Sequence, residues 1–218
     1  MKVNYTYIIA ICTIVLFGCK KENKNEDPPT IDFGHFELLN TTIQQFPYND
    51  SIMEFIFTDS LNNEYTASTS TIFNHFGNSG HMTKYKDSEE NFFLTYHTQT
   101  YGTILTIPSL NKKITVEASV KVNADDYEAI RTADVALIHH SGQNTPMKEY
   151  VFIAVDERSR PGEFPDANLP KATLTIHGET FNNIYSNEND GNTIIYFNFE
   201  KGIVGFKDIT TGISYKLK

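Results

Sequence analysis

The sequence has no tryptophan and only two cysteines, Cys12 and Cys19, both near its start. The region after Cys19 therefore cannot contain a disulfide, and its fold has to be held by a hydrophobic core, which a region of this length can bury. The chain also lacks an HExxH pair of histidines and a G-x-S-x-G serine, which excludes two common hydrolase motifs. A net charge of -9 argues against a nucleic acid partner.

The chain begins with Lys2 and an apolar segment, residues 7–17, that is too short to cross a bilayer as a mature helix. The segment runs into Leu16-Phe17-Gly18-Cys19. A large aliphatic residue and a small residue before a cysteine resemble the bacterial lipobox, whereas bulky Ile11 argues against Cys12. This resemblance predicts a lipoprotein signal peptide over residues 1–18 and a lipid on Cys19. The alternative is an apolar cysteine in an ordinary signal peptide.

Residues 19–30 contain the stretch KKENKNEDPP, with three lysines, three acids and no hydrophobic residue. Such a segment cannot bury enough surface to offset the entropy of ordering, so we predict a disordered tether behind the lipidated cysteine. Lys21 and Glu22 resemble the lysine-plus-acid export signal of Bacteroidota-type surface lipoproteins. A solvated charged linker is the alternative interpretation. The resemblance implies an outer-membrane lipoprotein that faces the cell surface.

Strand patterns dominate residues 31–218, which are predicted to form a mainly antiparallel, β-sandwich-like domain. In ITVEASVKV, residues 114–122, apolar and polar side chains alternate as in a half-buried strand. Further strands are predicted at 52–58, 92–107 with a bend at Gly102, 150–155, 172–177 and, as a C-terminal meander, 193–199, 203–207 and 213–217. One short helix is predicted at NADDYEAIRTA, residues 123–133. The segment PSLNKK, residues 108–113, is a candidate boundary between two smaller β subdomains.

The C-terminal stretch TFNNIYSNENDGNTIIYFNFEKGIVGFKDITTGISYKL resembles the ends of many Bacteroidota lipoproteins. These finish with an aromatic strand, a hairpin containing a Gly-Ile/Val-Gly-Phe-like sequence and a last short strand. The resemblance implies a cellular location and a fold class, and no activity.

Seven histidines raise the question of a metal site, and the best cluster is His75, His81 and His97, in or beside a predicted loop, NHFGNSGHM. The adjacent pair at 139 and 140 would face opposite sides of a strand. The run SNENDG imitates half of a calcium loop but lacks an acid at both ends, so we interpret it as a turn. The sequence therefore predicts no metal site and no cofactor.

Carboxylate pairs at Glu89-Glu90 and Asp125-Asp126 fall in a polar loop and in the first turn of the predicted helix. Acids are common in a helix's first turn because the helix dipole favours them. The string HHSG places His140 beside Ser141 without an orienting acid. We therefore assign no catalytic residue.

Binding is the better supported class of function. Arg158 and Arg160 stand in the loop DERSRPGEFPDANLP and are candidates for contact with an acidic partner, although a plain solvated loop is the alternative. Tyr96 and Tyr101 are candidates for an exposed aromatic stripe, and core packing is the alternative.

Two strings, DSI and DSL, resemble the Asp-Ser/Thr-aliphatic sequon for O-glycosylation of exported Bacteroidota proteins. The resemblance makes Ser51 and Ser60 candidate glycosylation sites. In the alternative interpretation, the preceding aspartates bond the backbone of ordinary turns.

The sequence thus predicts a membrane-attached envelope protein with a binding or scaffolding role toward a glycan or a protein. The alternative is a glycan-binding or hydrolytic accessory component of a polysaccharide-processing system.

Overall fold

The computed structural model describes residues 28–84, 91–123, 131–140, 151–157, 167–187 and 192–218. Within these ranges the chain forms thirteen strands, one short α-helix and one 3-10 turn at Pro108–Leu110. The elements are β1 (Thr30–Phe36), α1 (Asn40–Gln45), β2 (Glu54–Thr58), β3 (Glu64–Thr69), β4 (Phe73–Lys84), β5 (Asn91–Ile107), β6 (Lys112–Asn123), β7 (Arg131–His140), β8 (Val151–Glu157), β9 (Lys171–Ile176), β10 (Glu179–Ser186), β11 (Thr193–Asn198), β12 (Gly202–Asp208) and β13 (Ser214–Leu217).

The strands follow one another in a single curled sheet, in the order β8-β7-β6-β5-β3-β2-β13-β12-β11-β10-β9. β1 and β4 join the sheet by pairing with β5, and β1 is the strand that runs parallel to its neighbour. β7 contacts β11 and β8 contacts β10 although they are not neighbours in this order. The two ends of the sheet therefore face each other across the core. This confirms the predicted mainly antiparallel, β-sandwich-like fold.

The main core lies between these facing parts of the sheet and is built by alternating side chains. On β6, Ile114, Val116, Ala118 and Val120 are buried while Lys121 is exposed, as the alternation in the sequence predicted. The predicted C-terminal meander is also present, since β12 pairs with β11 on one side and β13 on the other.

β5 buries opposite faces in its two halves. Phe92, Leu94 and Tyr96 form a second apolar cluster, whereas Leu105 and Ile107 belong to the main core. Even and odd residues of a strand point to opposite faces, so the buried face changes between Tyr96 and Leu105. The predicted bend position, Gly102, is regularly paired with both neighbouring strands.

The candidate subdomain boundary at residues 108–113 is a hairpin turn. Ile107 pairs with Lys112, and the joined strands lie side by side in the same sheet. The Lys112 ammonium forms an ion pair with Asp208 at 2.8 Å and donates to the Thr193 hydroxyl at 3.0 Å. Burial would raise the pKa of Asp208, but hydrogen bonds from Lys112 and the turn backbone, together with the Lys112 charge, keep that pKa below its usual value.

Two local predictions are wrong where the structure describes them. The histidine-containing string NHFGNSGHM is not a loop but part of β4, which pairs with β5 along its whole length. The predicted helix at residues 123–133 cannot extend to its ends, because Asn123 closes β6 and Arg131 opens β7. These two residues pair with each other. Residues 124–130 lie outside the described ranges.

The observed helix, α1, is held by side chains distant in sequence. Its flanking residue Leu39 makes no side-chain cap, and the carboxylate of Asp134 on β7 instead holds the start of the helix. Asp134 Oδ2 accepts hydrogen bonds from the Leu39 amide at 2.8 Å and the Thr42 hydroxyl at 2.6 Å. Gln99 Oε1 accepts from the Leu38 amide at 2.9 Å. No helix in the described part of the chain is long and apolar enough to span a bilayer.

Candidate functional site

A cleft of about 230 Å³ lies where the hairpin of β9 and β10 joins the rest of the sheet. β10 pairs with β9 as far as Ile184 and with β11 only at Tyr185 and Ser186. Just before the change of partner, Asn183 has a φ of 52°, in the left-handed region that asparagine tolerates better than most residues. Its lining residues are Pro170, Asn182, Asn183, Tyr185, Asn198, Phe199 and Glu200.

The hairpin is fixed in place by apolar packing beneath the cleft. Phe181 and Ile184 are buried, and they form a third cluster with Ile176 and Val204. Phe181 and Ile184 are three residues apart, so the strict alternation of a strand is broken between them. The intervening Asn182 and Asn183 are exposed. The broken alternation therefore places two neighbouring amides at the surface.

The floor of the cleft is held by hydrogen bonds of a buried asparagine. The Asn198 amide nitrogen donates to the Asn182 carbonyl at 3.3 Å, and its Oδ1 accepts from the Lys201 backbone at 2.8 Å. The rings of Tyr185 and Phe199 meet edge to face, with centroids 5.9 Å apart. This arrangement limits rearrangement of the floor, so the exposed amides are carried by a fixed scaffold.

The chemistry of the cleft suits a neutral ligand that carries hydroxyl groups. Amide side chains donate and accept hydrogen bonds, and Glu200 adds a carboxylate acceptor. Burial raises the pKa of Tyr185, so its hydroxyl remains neutral at ordinary pH and can both donate and accept. Aromatic faces accommodate apolar C–H groups. The volume is below the roughly 300–1,000 Å³ of drug-sized pockets, so the cleft fits one ring-sized group.

Paired carboxylates, which would indicate glycoside hydrolysis, are not found around this cleft. Among its lining residues in the described chain, Glu200 is the one carboxylic acid. Elsewhere, burial raises the pKa of Glu117, against the opposing effect of the His139 and His75 charges. Glu117 lies on β6 and does not line the cleft.

The candidate cluster of His75, His81 and His97 is not assembled. His75 pairs with Thr100 and His81 with Leu94, six residues apart along β4, a separation of roughly 20 Å. His97 pairs with Asn78, which places it on the face opposite His75. Within the described ranges, no group of three or more histidine, cysteine or acidic residues could hold a metal ion.

The candidate aromatic stripe is not exposed, since Tyr96 is buried in the second apolar cluster and Tyr101 packs against the main core. Core packing, the alternative interpretation of both residues, therefore applies. Cys19, Arg158 and Arg160 lie outside the described residues.

Ser51 and Ser60 are both exposed and lie beyond the two ends of β2. The Asp59 carboxylate accepts hydrogen bonds from the backbone of Leu61 and Asn63, so it does stabilise a turn. That contact leaves Ser60 accessible, and its glycosylation stays a prediction.

Sequence reasoning did not select the residues of the cleft. The available signal was TFNNIYS, in which two asparagines interrupt a pattern of apolar alternation. The chain matches no protein-family model, no curated protein and no solved structure.

Proposed function

We propose that this chain is a lipid-anchored cell-envelope protein that binds a neutral glycan in the cleft between β10 and the β11–β12 turn. The observation that supports the proposal is the pairing of exposed amides, Asn182 and Asn183, with a floor of aromatic rings. Binding by amide and hydroxyl hydrogen bonds requires no charge on the ligand. The envelope location rests on the lipid on Cys19 and the tether of residues 19–30, and both of these remain predictions from the sequence.

A binding role is favoured over hydrolysis by the composition of the cleft. A glycosidase requires two carboxyl groups on either side of the scissile bond. Among the described residues that line the cleft, Glu200 supplies one carboxyl group, and the asparagine amides cannot transfer protons at ordinary pH. The protein could still serve a polysaccharide-processing system as its glycan-binding component.

The test of the cleft is a binding titration of the purified full-length chain against neutral and acidic oligosaccharides. The double variant Asn182→Ala and Asn183→Gly removes both amides, and glycine keeps the positive φ of residue 183 without strain. We expect the dissociation constant for the bound neutral glycan to rise about thirtyfold, since two hydrogen bonds of about 1 kcal/mol each are lost.

Asn78→Ala is the matched control, because Asn78 is an exposed asparagine on β4, a strand that does not line the cleft. Its affinity should equal that of the unmodified protein. Binding that survives in the double variant would place the ligand elsewhere. An absence of binding to every oligosaccharide would overturn the proposed ligand class.

The anchor is tested separately with Cys19→Ala in the native cell envelope. Because the lipid is attached through this cysteine, we expect the variant to leave the membrane fraction for the soluble fraction. Ser60→Ala, which leaves the cysteine intact, should stay with the membrane. A Cys19→Ala protein that still sediments with membranes after a salt wash would contradict lipid anchoring.

A further inference from the structure

The outer edge of β4 is a long free strand edge. β4 has 12 residues and pairs with β5 on one side, and no strand in the described part of the chain pairs with its other side. Free edges are usually shielded by proline, by charged side chains or by shortness, because their unpaired N–H and C=O groups attract other strands. β4 contains no proline and no acidic residue, and its one lysine, Lys84, stands at its end. The edge therefore has little of the usual protection against a partner strand.

One hydrogen bond shows which residues of β4 face this edge. The Phe93 amide donates to the Pro29 carbonyl at 2.9 Å, on the β1 side of β5, so it does not bond Met82, its partner in β4. Hydrogen-bonded and non-hydrogen-bonded pairs alternate along an antiparallel ladder. The residues of β4 whose amide and carbonyl groups point away from β5, toward the free edge, are therefore Phe76, Asn78, Gly80 and Met82.

The same alternate positions carry exposed apolar side chains. Phe76 is 41% exposed and Met82 is 50% exposed, and both lie on one face of the strand. Gly77, between them, has open space around its Cβ position, so packing within the chain does not require glycine there. A glycine inside a strand often marks the close approach of another backbone. The edge thus combines unpaired backbone groups, exposed apolar side chains and room for a partner strand.

A second copy of β4 fits this edge in a register centred on Ser79. Antiparallel pairing of two copies must place outward-facing residues opposite each other, which allows every second register. When Ser79 meets Ser79 of the second copy, Phe76 lies opposite Met82 of that copy, and the contact repeats by symmetry. Lys84 then lies opposite Asn74, so no two like charges are opposed. The neighbouring allowed registers, centred on residues 78 and 80, separate the two apolar side chains.

From this complementarity we propose that two copies of the chain associate through β4 and join their sheets into one continuous sheet. Pairing over residues 74–84 forms about twelve backbone hydrogen bonds, two for each pair of outward-facing residues. One pair of strand edges buries less than the roughly 1,200 Å² at the lower end of specific interfaces, so we expect a dissociation constant in the micromolar range. β4 does not line the cleft, and the association does not depend on the proposed glycan site.

Disulfide crosslinking tests the register. In the full-length chain with Cys12→Ser and Cys19→Ser, Ser79→Cys introduces a single cysteine. Opposed residues of a non-hydrogen-bonded pair have Cα atoms about 4.5 Å apart, a distance that a disulfide spans. We expect mild oxidation to convert most of this variant into a covalent dimer on a non-reducing gel. In the matched control, Gly77→Cys, the two thiols would lie roughly 14 Å apart along the strands, so the dimer should form at least tenfold more slowly.

Sedimentation velocity of the full-length chain in mild detergent, over a range of chain concentrations, measures the reversible association. Asn78→Pro removes an amide that faces the free edge, at a position where edge strands accept proline. We expect the dissociation constant to rise at least tenfold in this variant. Asn78→Ala keeps the backbone amide and should dimerise as the unmodified chain does.

Side-chain variants test the same contact without altering the backbone. Met82→Lys should weaken the association, and the double variant Phe76→Glu/Met82→Lys should restore it, because the introduced charges are opposite in sign and face each other across the two copies. A chain that stays monomeric at every concentration would overturn the proposal. So would Gly77→Cys crosslinking as fast as Ser79→Cys, or a folded Asn78→Pro variant with undiminished association.

Discussion

Replacing Asp134 with alanine is expected to lower the free energy of unfolding by about 3 kcal/mol, because one buried and one half-buried donor lose their shared acceptor. Asp134 is completely buried on β7, and its Oδ2 binds the Leu39 amide and the Thr42 hydroxyl at the start of α1. Both donors would remain buried or half-buried without this partner. Chemical denaturation of the full chain, with the midpoint and slope both fitted, measures the change.

Two further variants separate the hydrogen bonds from the effect of the missing side chain. Thr42→Val removes one of the two donors and should cost about 1 kcal/mol. Asp134→Asn keeps an oxygen acceptor and should cost less than Asp134→Ala. An alanine variant as stable as the unmodified chain would show that Asp134 does not anchor α1.

The same contact explains why α1 could not be predicted from the sequence. Apart from its two glutamines NTTIQQ has no good helix formers, it is only six residues long, and its cap residue makes no side-chain cap, so little in its own residues indicates a helix. The hydrogen bond that holds the start of α1 comes from Asp134, separated from Leu39 by 95 positions. A pairing of this range carries no local signal in a single sequence.

In β4 the local residues themselves favour the wrong prediction, a loop in place of a strand. Gly77, Gly80 and the neighbouring asparagines indicate a loop, yet pairing with β5 continues through all of them. A side chain at Gly80 would come within 2.7 Å of the Leu94 carbonyl oxygen and within about 3.0 Å of the Phe93 ring. Glycine is thus required by close packing inside a strand, where sequence patterns suggest a turn.

β6 and the C-terminal meander were predictable because they follow the simplest rule. Ile114, Val116 and Ala118 alternate with polar residues, and period two is the direct consequence of strand geometry. The cleft and the stacked pair of His35 and His97 could not be predicted from this rule, because each lies at a local departure from it. Asn183, which lines the cleft, has a left-handed backbone, and His35 pairs with His97 because of the bulge before it.

Strand pairing also decides which histidines meet. His75 and His81, close together in the sequence, are held apart along the extended β4 by its pairing with β5. His35 lies beside His97, which is 62 positions away in sequence and on a parallel neighbouring strand, so no local pattern indicates their contact. Only the register of the sheet could bring the two imidazoles together.

Gly202→Ala is expected to lower the free energy of unfolding by about 3 kcal/mol, through backbone strain and overpacking together. Gly202 opens β12 with a φ of 79°, a conformation that L-residues adopt at a cost. An added Cβ would overlap the Tyr48 hydroxyl oxygen and lie 2.6 Å from the Tyr48 Cζ. Tyr48 is buried among aromatic neighbours, so its ring cannot move aside cheaply.

Displacement of Tyr48 would also break a buried hydrogen bond, since its hydroxyl accepts from the Ile203 amide at 2.9 Å. Burial raises the pKa of Tyr48 well above its usual value, so the hydroxyl stays neutral and the contact does not change with pH in the ordinary range. Gly178→Ala is the matched control, because Gly178 has a φ of 80° and open space around its Cβ position. The control should cost only the backbone strain of about 1 kcal/mol. Equal losses for the two variants in denaturant titrations would show that Tyr48 yields to the added methyl group, and that packing around Gly202 is looser than these distances indicate.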